Sequence, residues 1–162
     1  MRRRRFVIAA LLPLAGCGFE LRRAPELKFG TILLTGFKTR SPLEKELRMN
    51  IDASATTRVV DALPQAQVVL EAIEDTRERQ VVASSAAGQV TEFNLRARLK
   101  FRVRSVAGRE LIPETELIQN RDLSYTESAA LAKESEENFL YVAMQNDLVA
   151  QVLRRLASIQ RF

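Results

Sequence analysis

The sequence contains no histidine and no tryptophan, and its only cysteine is Cys17. Histidine is the commonest protein ligand of transition metals and the commonest general base near neutral pH. Its absence argues against a histidine-based metal centre and against a catalytic triad. A single cysteine excludes both a disulfide within the chain and a zinc site built from several thiolates. The composition therefore predicts a protein that is not an enzyme and that holds no metal and no other cofactor.

The first 16 residues have the order of an export signal, because Arg2–Arg5 precede the apolar segment Phe6–Ala15. As a helix this segment would reach ~15 Å, about half of a ~30 Å hydrocarbon core, so it is too short to span a membrane. The run Leu14-Ala15-Gly16-Cys17 resembles the lipobox of bacterial lipoproteins. That resemblance implies cleavage before Cys17, a diacylglyceryl group on its sulfur and an acyl group on its new amine. More than one acyl chain makes such attachment effectively permanent.

The residue after the cysteine bears on the destination of the protein. It is Gly18, whereas in many Gram-negative lipoproteins an aspartate at this place resembles an inner-membrane retention signal. We therefore expect a lipid-anchored protein of the outer membrane, exported across the inner membrane. The arginines before Phe6 do not distinguish the general export route from the twin-arginine route.

The basic character of the chain lies mostly in its export signal. Without Arg2–Arg5, the number of Lys and Arg residues falls from 25 to 21, against 20 Asp and Glu residues. A mature chain near neutrality gives no support to a nucleic-acid partner. We expect a signal peptide over residues 1–16, a lipidated tether over residues 17–26 and a single domain over residues 27–162.

The first half of this domain predicts a strand, a helix and a second strand. Leu27–Gly36 has the composition of a strand, and Ala66–Ser84 that of a long strand that becomes polar midway. Between them, Ser41 has the features of a helix N-cap, because Pro42 follows it and Glu44 stands three residues on. The apolar residues of this helix recur at intervals of four on one face: Leu43, Leu47 and Ile51.

The second half predicts two more strands and a long helix. Glu92–Ser105 alternates apolar and polar side chains, which is typical of a half-buried antiparallel strand. Its apolar set is Phe93, Leu95, Ala97, Leu99, Phe101 and Val103. Leu111–Tyr125 predicts the next strand, and Glu127–Ile159 predicts the closing helix. The helix has these apolar residues at helical spacing: Ala132, Phe139, Leu140, Ala143, Leu148, Val149, Val152, Leu153 and Leu156. The predicted fold is α+β, with the order β-α-β-β-β-α and two helices packed on one face of a mostly antiparallel four-stranded sheet.

Four segments in this order resemble the LptE family of LPS-assembly lipoproteins. They are CGFELR at Cys17–Arg22, AGQVTEFNL at Ala87–Leu95, LAKESE at Leu131–Glu136 and QVLRRLASI at Gln151–Ile159. The resemblance implies an outer-membrane lipoprotein that sits as a plug inside the LptD β-barrel. It implies that the protein assists assembly of this barrel and helps deliver lipopolysaccharide to the outer leaflet.

A row of basic residues lies opposite the apolar set of the alternating strand: Arg96, Arg98, Lys100, Arg102 and Arg104. One interpretation is internal pairing with acidic residues of the neighbouring strands, which are Glu71, Asp75, Glu114 and Glu116. The other is contact with lipopolysaccharide or with the barrel wall, because guanidinium and ammonium groups make charge-assisted hydrogen bonds to phosphates. The sequence leaves both interpretations open.

The resemblance also implies a lipopolysaccharide contact at Lys133, whereas a solvent-exposed pair with Glu136 or Glu137 is the alternative. The second basic residue of the family, in the strand turn before the glycine, is missing, because Ala86 and Ala87 precede Gly88. The competing function is an envelope scaffold lipoprotein that binds other proteins or phospholipid and has no lipopolysaccharide site.

Overall fold

The computed structural model describes residues 26–160 as seven regular elements and two short 3₁₀ turns, Leu63–Gln65 and Glu127–Ala129. The elements are β1 (Thr31–Thr35), α1 (Pro42–Asp52), β2 (Arg58–Val60), β3 (Val68–Ser84), β4 (Val90–Ser105), β5 (Glu110–Ser124) and α2 (Ala130–Ala157). The signal segment and Cys17 lie outside the described residues. Neither helix within residues 26–160 is long and apolar enough to cross a membrane.

The strands form one five-stranded sheet in the order β2-β1-β3-β4-β5. β1 runs parallel to both β2 and β3, whereas the long strands β3, β4 and β5 pair antiparallel. The predicted α+β class is confirmed. The sheet has one strand more than predicted, the three-residue β2, whose pairing with β1 makes the sheet mixed.

Helix α1 begins and packs as its sequence predicts. The Ser41 side chain accepts a hydrogen bond from the backbone N–H of Glu44 at 3.2 Å, which satisfies one of the free donors at the helix start. Leu43, Leu47 and Ile51 are all buried in the single hydrophobic core between the helices and the sheet. The apolar stripe therefore fixes which face of α1 meets the sheet.

Strand β4 supplies the centre of that core. All six members of its predicted apolar set are buried, and Leu95, Leu99, Phe101 and Val103 are completely so. The predicted division of β4 into inward-facing apolar and outward-facing basic residues is confirmed. The basic residues therefore lie on the face of the sheet that points away from the helices.

Helix α2 is buried over only part of its length. Its buried residues all lie from Tyr141 onward, and they include Tyr141 and Met144, which the sequence analysis omitted. Ala132 and Phe139 lie in the predicted helix at the predicted spacing but are exposed; Phe139 retains 72% of its accessible surface. Helical spacing alone does not tell where along a helix the contact with the sheet begins.

Candidate functional site

The basic row of β4, defined as Arg96, Arg98, Lys100, Arg102 and Arg104, has acidic neighbours on both adjacent strands. Arg102 lies 2.8 Å from Glu71 on β3, and the Lys100 ammonium contacts Glu114 on β5. Arg98 lies 3.4 Å from both Glu74 and Glu116. Pairing of the row with Glu71, Glu114 and Glu116 is thus confirmed.

The predicted pairing with Asp75 was wrong, and a β-bulge explains why. The register of β3 against β4 shifts between Ala72 and Glu74, so Ile73 is an extra residue. Beyond the bulge, Glu74 lies opposite Lys100 and Asp75 lies opposite the inward-facing Leu99. Glu74 therefore occupies the place beside the basic row, and Asp75 lies on the helix side.

The members of the row differ in how far their charge is neutralised. The Lys100 pKa is raised above its usual 10.5, mainly by the hydrogen bond and the charge of Glu114. The charges of Glu116 and Glu74 raise this pKa slightly further, whereas burial lowers it. Arg96 donates to the Asn120 side chain at 3.2 Å instead of meeting a carboxylate. Arg104 makes no ion pair within residues 26–160 and is half-buried. Its guanidinium is therefore the least compensated charge of the row.

Lys133 lies in the first turn of α2 and is held by two internal contacts. Its ammonium donates to the Ser124 hydroxyl at 3.0 Å and to Glu136 at 2.8 Å, and its side chain is only 19% exposed. The predicted pair with Glu136 is confirmed, but the expected solvent exposure of Lys133 was wrong, because its side chain lies against Ser124. The β3–β4 turn ends at Gly88, whose positive φ of 78° permits the tight reversal, and the preceding Ala86 and Ala87 are exposed.

Next to Lys133 lies a cleft of about 350 Å³ between α2 and the distal parts of β3 and β5. Its lining includes Leu123, Tyr125, Leu131 and a second cation, Arg79. The Arg79 guanidinium lies 4.7 Å from the centre of the Phe93 ring and 2.9 Å from Glu137.

Arg79 was missed by the sequence analysis. It lies opposite Leu95 of β4, and therefore on the helix side of β3. After the bulge, alternate residues of β3 point toward the helices. Which of the two alternating sets does so depends on the position of the bulge, so the sequence pattern alone did not assign Arg79 to the helix side. Within the same described residues, no group of three or more metal-ligating side chains is close enough to hold a metal ion.

Comparison with known proteins places this geometry in a family. The model of the family described as LptE, lipopolysaccharide-assembly, matches residues 29–156. The chain belongs to the LptE family. The LPS-assembly lipoprotein LptE of Pectobacterium atrosepticum is 27% identical, over 98% of this chain and 88% of its own length. The LPS-assembly lipoprotein LptE of Yersinia enterocolitica is 28% identical, over 91% of this chain and 71% of its own length.

Solved structures show the same fold. The solution structure of lipoprotein B from Nitrosomonas europaea superposes with a TM-score of 0.71 at 28% identity, covering 87% of this chain and 91% of that one. The crystal structure of rare lipoprotein B from Shewanella oneidensis superposes with a TM-score of 0.66 at 25% identity, covering 80% of this chain and 95% of that one. The family resemblance is confirmed. LptE proteins are assembly lipoproteins without an enzymatic reaction, so the prediction that this chain is not an enzyme is confirmed as well.

Proposed function

We propose that this LptE-family lipoprotein plugs the LptD β-barrel in the outer membrane, assists its assembly and helps deliver lipopolysaccharide to the outer leaflet. The observation that carries the proposal is the family match over residues 29–156, which spans nearly all of the described domain. The function follows from shape and charge and needs no covalent chemistry beyond lipidation of the protein itself.

The charge pattern of the sheet supports a plug. The lumen of a large outer-membrane barrel is polar, so a domain inside it needs an outward surface that tolerates water and charge. The face of β3, β4 and β5 that points away from the helices has this character, because the Glu71, Glu74, Glu114 and Glu116 carboxylates compensate most of the basic row. Such a face suits a water-lined wall.

Contact with lipopolysaccharide is assigned to the cations that are least committed to internal pairs. Arg104 makes no ion pair within residues 26–160, and Arg96 meets only an amide. Arg98, Lys100 and Arg102 would have to exchange a carboxylate for a phosphate. Lys133 would have to leave both Glu136 and the Ser124 hydroxyl, and its side chain is only 19% exposed.

The anchor completes the proposal. Lipid attachment at Cys17, after removal of residues 1–16, places the folded domain at the outer membrane through the tether 17–26. At ~3.3–3.6 Å per residue, the chain from Cys17 to Glu26 reaches at most ~30 Å. The domain therefore stays close to the leaflet that holds its acyl chains.

A mild-detergent pull-down of the tagged full-length protein from its own outer membrane tests this function, with the eluate analysed by mass for protein and glycolipid. We expect a large β-barrel in equimolar amount, with lipopolysaccharide. Cys17→Ala is the matched control, because it removes the anchor and leaves every described residue intact. An eluate with other envelope proteins or phospholipid and no barrel would replace the plug by the scaffold function.

A further inference from the structure

Two hairpin turns with the same backbone geometry lie at opposite ends of β4. In the turn Ser105–Arg109, the Ser105 N–H donates to the Arg109 carbonyl at 2.8 Å, and the Gly108 N–H donates to the Ser105 carbonyl at 2.9 Å. In the turn Ser85–Gln89, the equivalent bonds measure 2.7 Å and 2.9 Å. Gly88 and Gly108 both have a positive φ, of 78° and 88°. The 16 residues of β4 separate the two turns by roughly 50 Å.

The two turns differ in sequence at only two places. Ser85–Gln89 reads SAAGQ and Ser105–Arg109 reads SVAGR, so Val106 stands in the place of Ala86, and Arg109 in the place of Gln89. Val106 is 41% exposed, and the exposed Arg109 makes no ion pair within residues 26–160. The Ser105–Arg109 turn therefore presents an apolar side chain and a cation to solvent, whereas the Ser85–Gln89 turn presents neither.

The Ser105–Arg109 turn lies where the chain enters the domain from its anchor. Gln67 joins the two, because its side-chain oxygen accepts from the Gly30 N–H at 2.7 Å and its backbone carbonyl accepts from the Val106 N–H at 3.3 Å. The tether ends beside Gly30, and from Cys17 to Glu26 it reaches at most ~30 Å. This turn therefore lies within reach of the leaflet that holds the acyl chains, and the other turn lies roughly 50 Å further along β4.

The surroundings of the Ser105–Arg109 turn have the same character. Leu63 is 44% exposed and lies in the 3₁₀ turn that ends two residues before Gln67. None of the four exposed residues 62–65 is charged. Lys28, also exposed, lies two residues before Gly30. Binding to a bilayer interface grows with the apolar area buried there and with the attraction of basic side chains to lipid phosphates.

We propose that the Ser105–Arg109 turn is a membrane-contact loop, and that the domain lies with this end against the leaflet that holds its acyl chains. Val106 and Leu63 enter the boundary between headgroups and acyl chains, and Arg109 and Lys28 meet lipid phosphates. The Ser85–Gln89 turn points away from this leaflet. The partner is the bilayer surface. The proposal rests on the anchor at Cys17, which belongs to the proposed function.

The orientation is tested with one fluorophore placed at either end of β4. Acylation occupies the sulfur of the only cysteine, so an introduced cysteine is the only thiol available for labelling. Ala107→Cys and Ala87→Cys place it at the same position of the two turns, and both alanines are exposed. The full-length lipidated proteins are labelled with the same polarity-sensitive fluorophore. They are then reconstituted into vesicles of phosphatidylethanolamine and phosphatidylglycerol that contain a nitroxide-labelled lipid.

The label at position 107 should shift its emission to the blue and be quenched by the nitroxide, whereas the label at position 87 should show neither effect. Because both labels occupy the same kind of turn, the affinity of the fluorophore itself for lipid cancels in the comparison. Equal quenching at the two positions, or stronger quenching at position 87, overturns the orientation. A third label, introduced by Phe139→Cys on the exposed face of α2, examines the rival contact. Quenching there and not at position 107 would assign the membrane contact to α2.

The side chains of the loop are tested by exchanging the two turn sequences. Val106→Ala together with Arg109→Gln gives the Ser105–Arg109 turn the sequence of the other turn, so its backbone should fold unchanged. In the protein labelled at position 107, this pair should reduce the quenching at least about twofold, because it removes the apolar contact and the phosphate contact together. Unchanged quenching would refute the assignment of Val106 and Arg109.

The reverse exchange is the matched control. Ala86→Val together with Gln89→Arg gives the Ser85–Gln89 turn the membrane-contact sequence at the wrong end of β4. The label at position 87 should remain unquenched in this variant, because the tether holds the other end of the domain at the leaflet. Quenching at position 87 would mean that the position of the turn does not set the orientation.

Failure of the membrane contact and failure of the proposed function are distinguishable. The vesicles contain no barrel, and barrel capture is measured separately on the wild-type protein. A protein that captures the barrel and shows equal quenching at both turns retains the proposed function and loses the contact loop. A protein with selective quenching at position 107 and no barrel shows the opposite.

Discussion

The Ser41 hydroxyl donates a hydrogen bond to the Asp75 carboxylate, with 2.6 Å between Oγ and Oδ2. The same oxygen of Ser41 accepts from the Glu44 backbone N–H at the start of α1. Asp75 reaches this position because the bulge at Ile73 turns it to the helix side of the sheet. The irregularity in β3 thus links the start of α1 to the sheet through Asp75.

We predict that Ser41→Ala lowers the free energy of unfolding by about 1–2 kcal/mol, because it removes the cap and leaves Asp75 without its hydroxyl donor. Urea unfolding followed by circular dichroism measures the change. Ser135→Ala is the control, because that serine is exposed and bonds only to the Leu131 carbonyl of its own helix. An equal loss in both variants would contradict a special role for Ser41.

The parts of the fold that local pattern determines were predictable. The Ser41 cap and the period-two alternation of Glu92–Ser105 each involve neighbours in sequence, so the sequence alone contains the information. The short strand β2 was missed because three residues, Arg58–Val60, show too little alternation and gain their pairing only from β1. Arg79 was missed because the bulge determines to which side of the sheet its side chain points.

We predict that Leu99→Asp destabilises the domain by roughly 4 kcal/mol or more, because Leu99 is fully buried and a carboxylate there has no ionic partner. Leu131→Asp makes the same chemical change at a leucine that is 83% exposed, and it should alter stability by about 0.5 kcal/mol or less. Thermal or urea unfolding of both variants measures the difference. Similar losses in the two would contradict the register of β4.

We predict that stability falls as the pH rises above about 10. Burial raises the Tyr141 pKa above its usual 10.0, with a smaller contribution from Glu137, and Glu114 raises the Lys100 pKa above 10.5. The folded state therefore holds both protons more tightly than the unfolded state. The resulting stability is complete below the unfolded pKa and is lost as the pH rises through the folded pKa. Urea midpoints between pH 8 and pH 11 measure this trend.

Tyr141→Phe separates the contribution of the phenol. The variant loses the hydrogen bond from the hydroxyl to the Glu78 carbonyl at 2.8 Å, so it should be less stable at neutral pH. Its midpoint should then fall less steeply above pH 10 than that of the wild type. An identical slope would mean that Tyr141 titrates alike in the folded and the unfolded protein.

We predict that Arg102→Gln lowers stability more than Arg104→Gln does, whereas Arg104→Gln weakens lipopolysaccharide binding more. Arg102 is tied to Glu71 at 2.8 Å, whereas Arg104 makes no ion pair within residues 26–160. Replacing Arg102 should cost about 0.2–1 kcal/mol of stability, because it breaks a cross-strand pair. Replacing Arg104 should leave stability within about 0.5 kcal/mol.

Binding should rank the two variants the other way. An uncompensated guanidinium gives its full charge-assisted hydrogen bonds to a phosphate, whereas Arg102 must first leave Glu71. Arg104→Gln should therefore weaken lipopolysaccharide binding by about two- to tenfold at low salt, and the deficit should shrink as salt screens the charge. Titration of both variants at two salt concentrations measures this. A larger loss with Arg102→Gln would mean that the phosphate displaces Glu71, and that internal pairing does not decide which cations of the row meet the ligand.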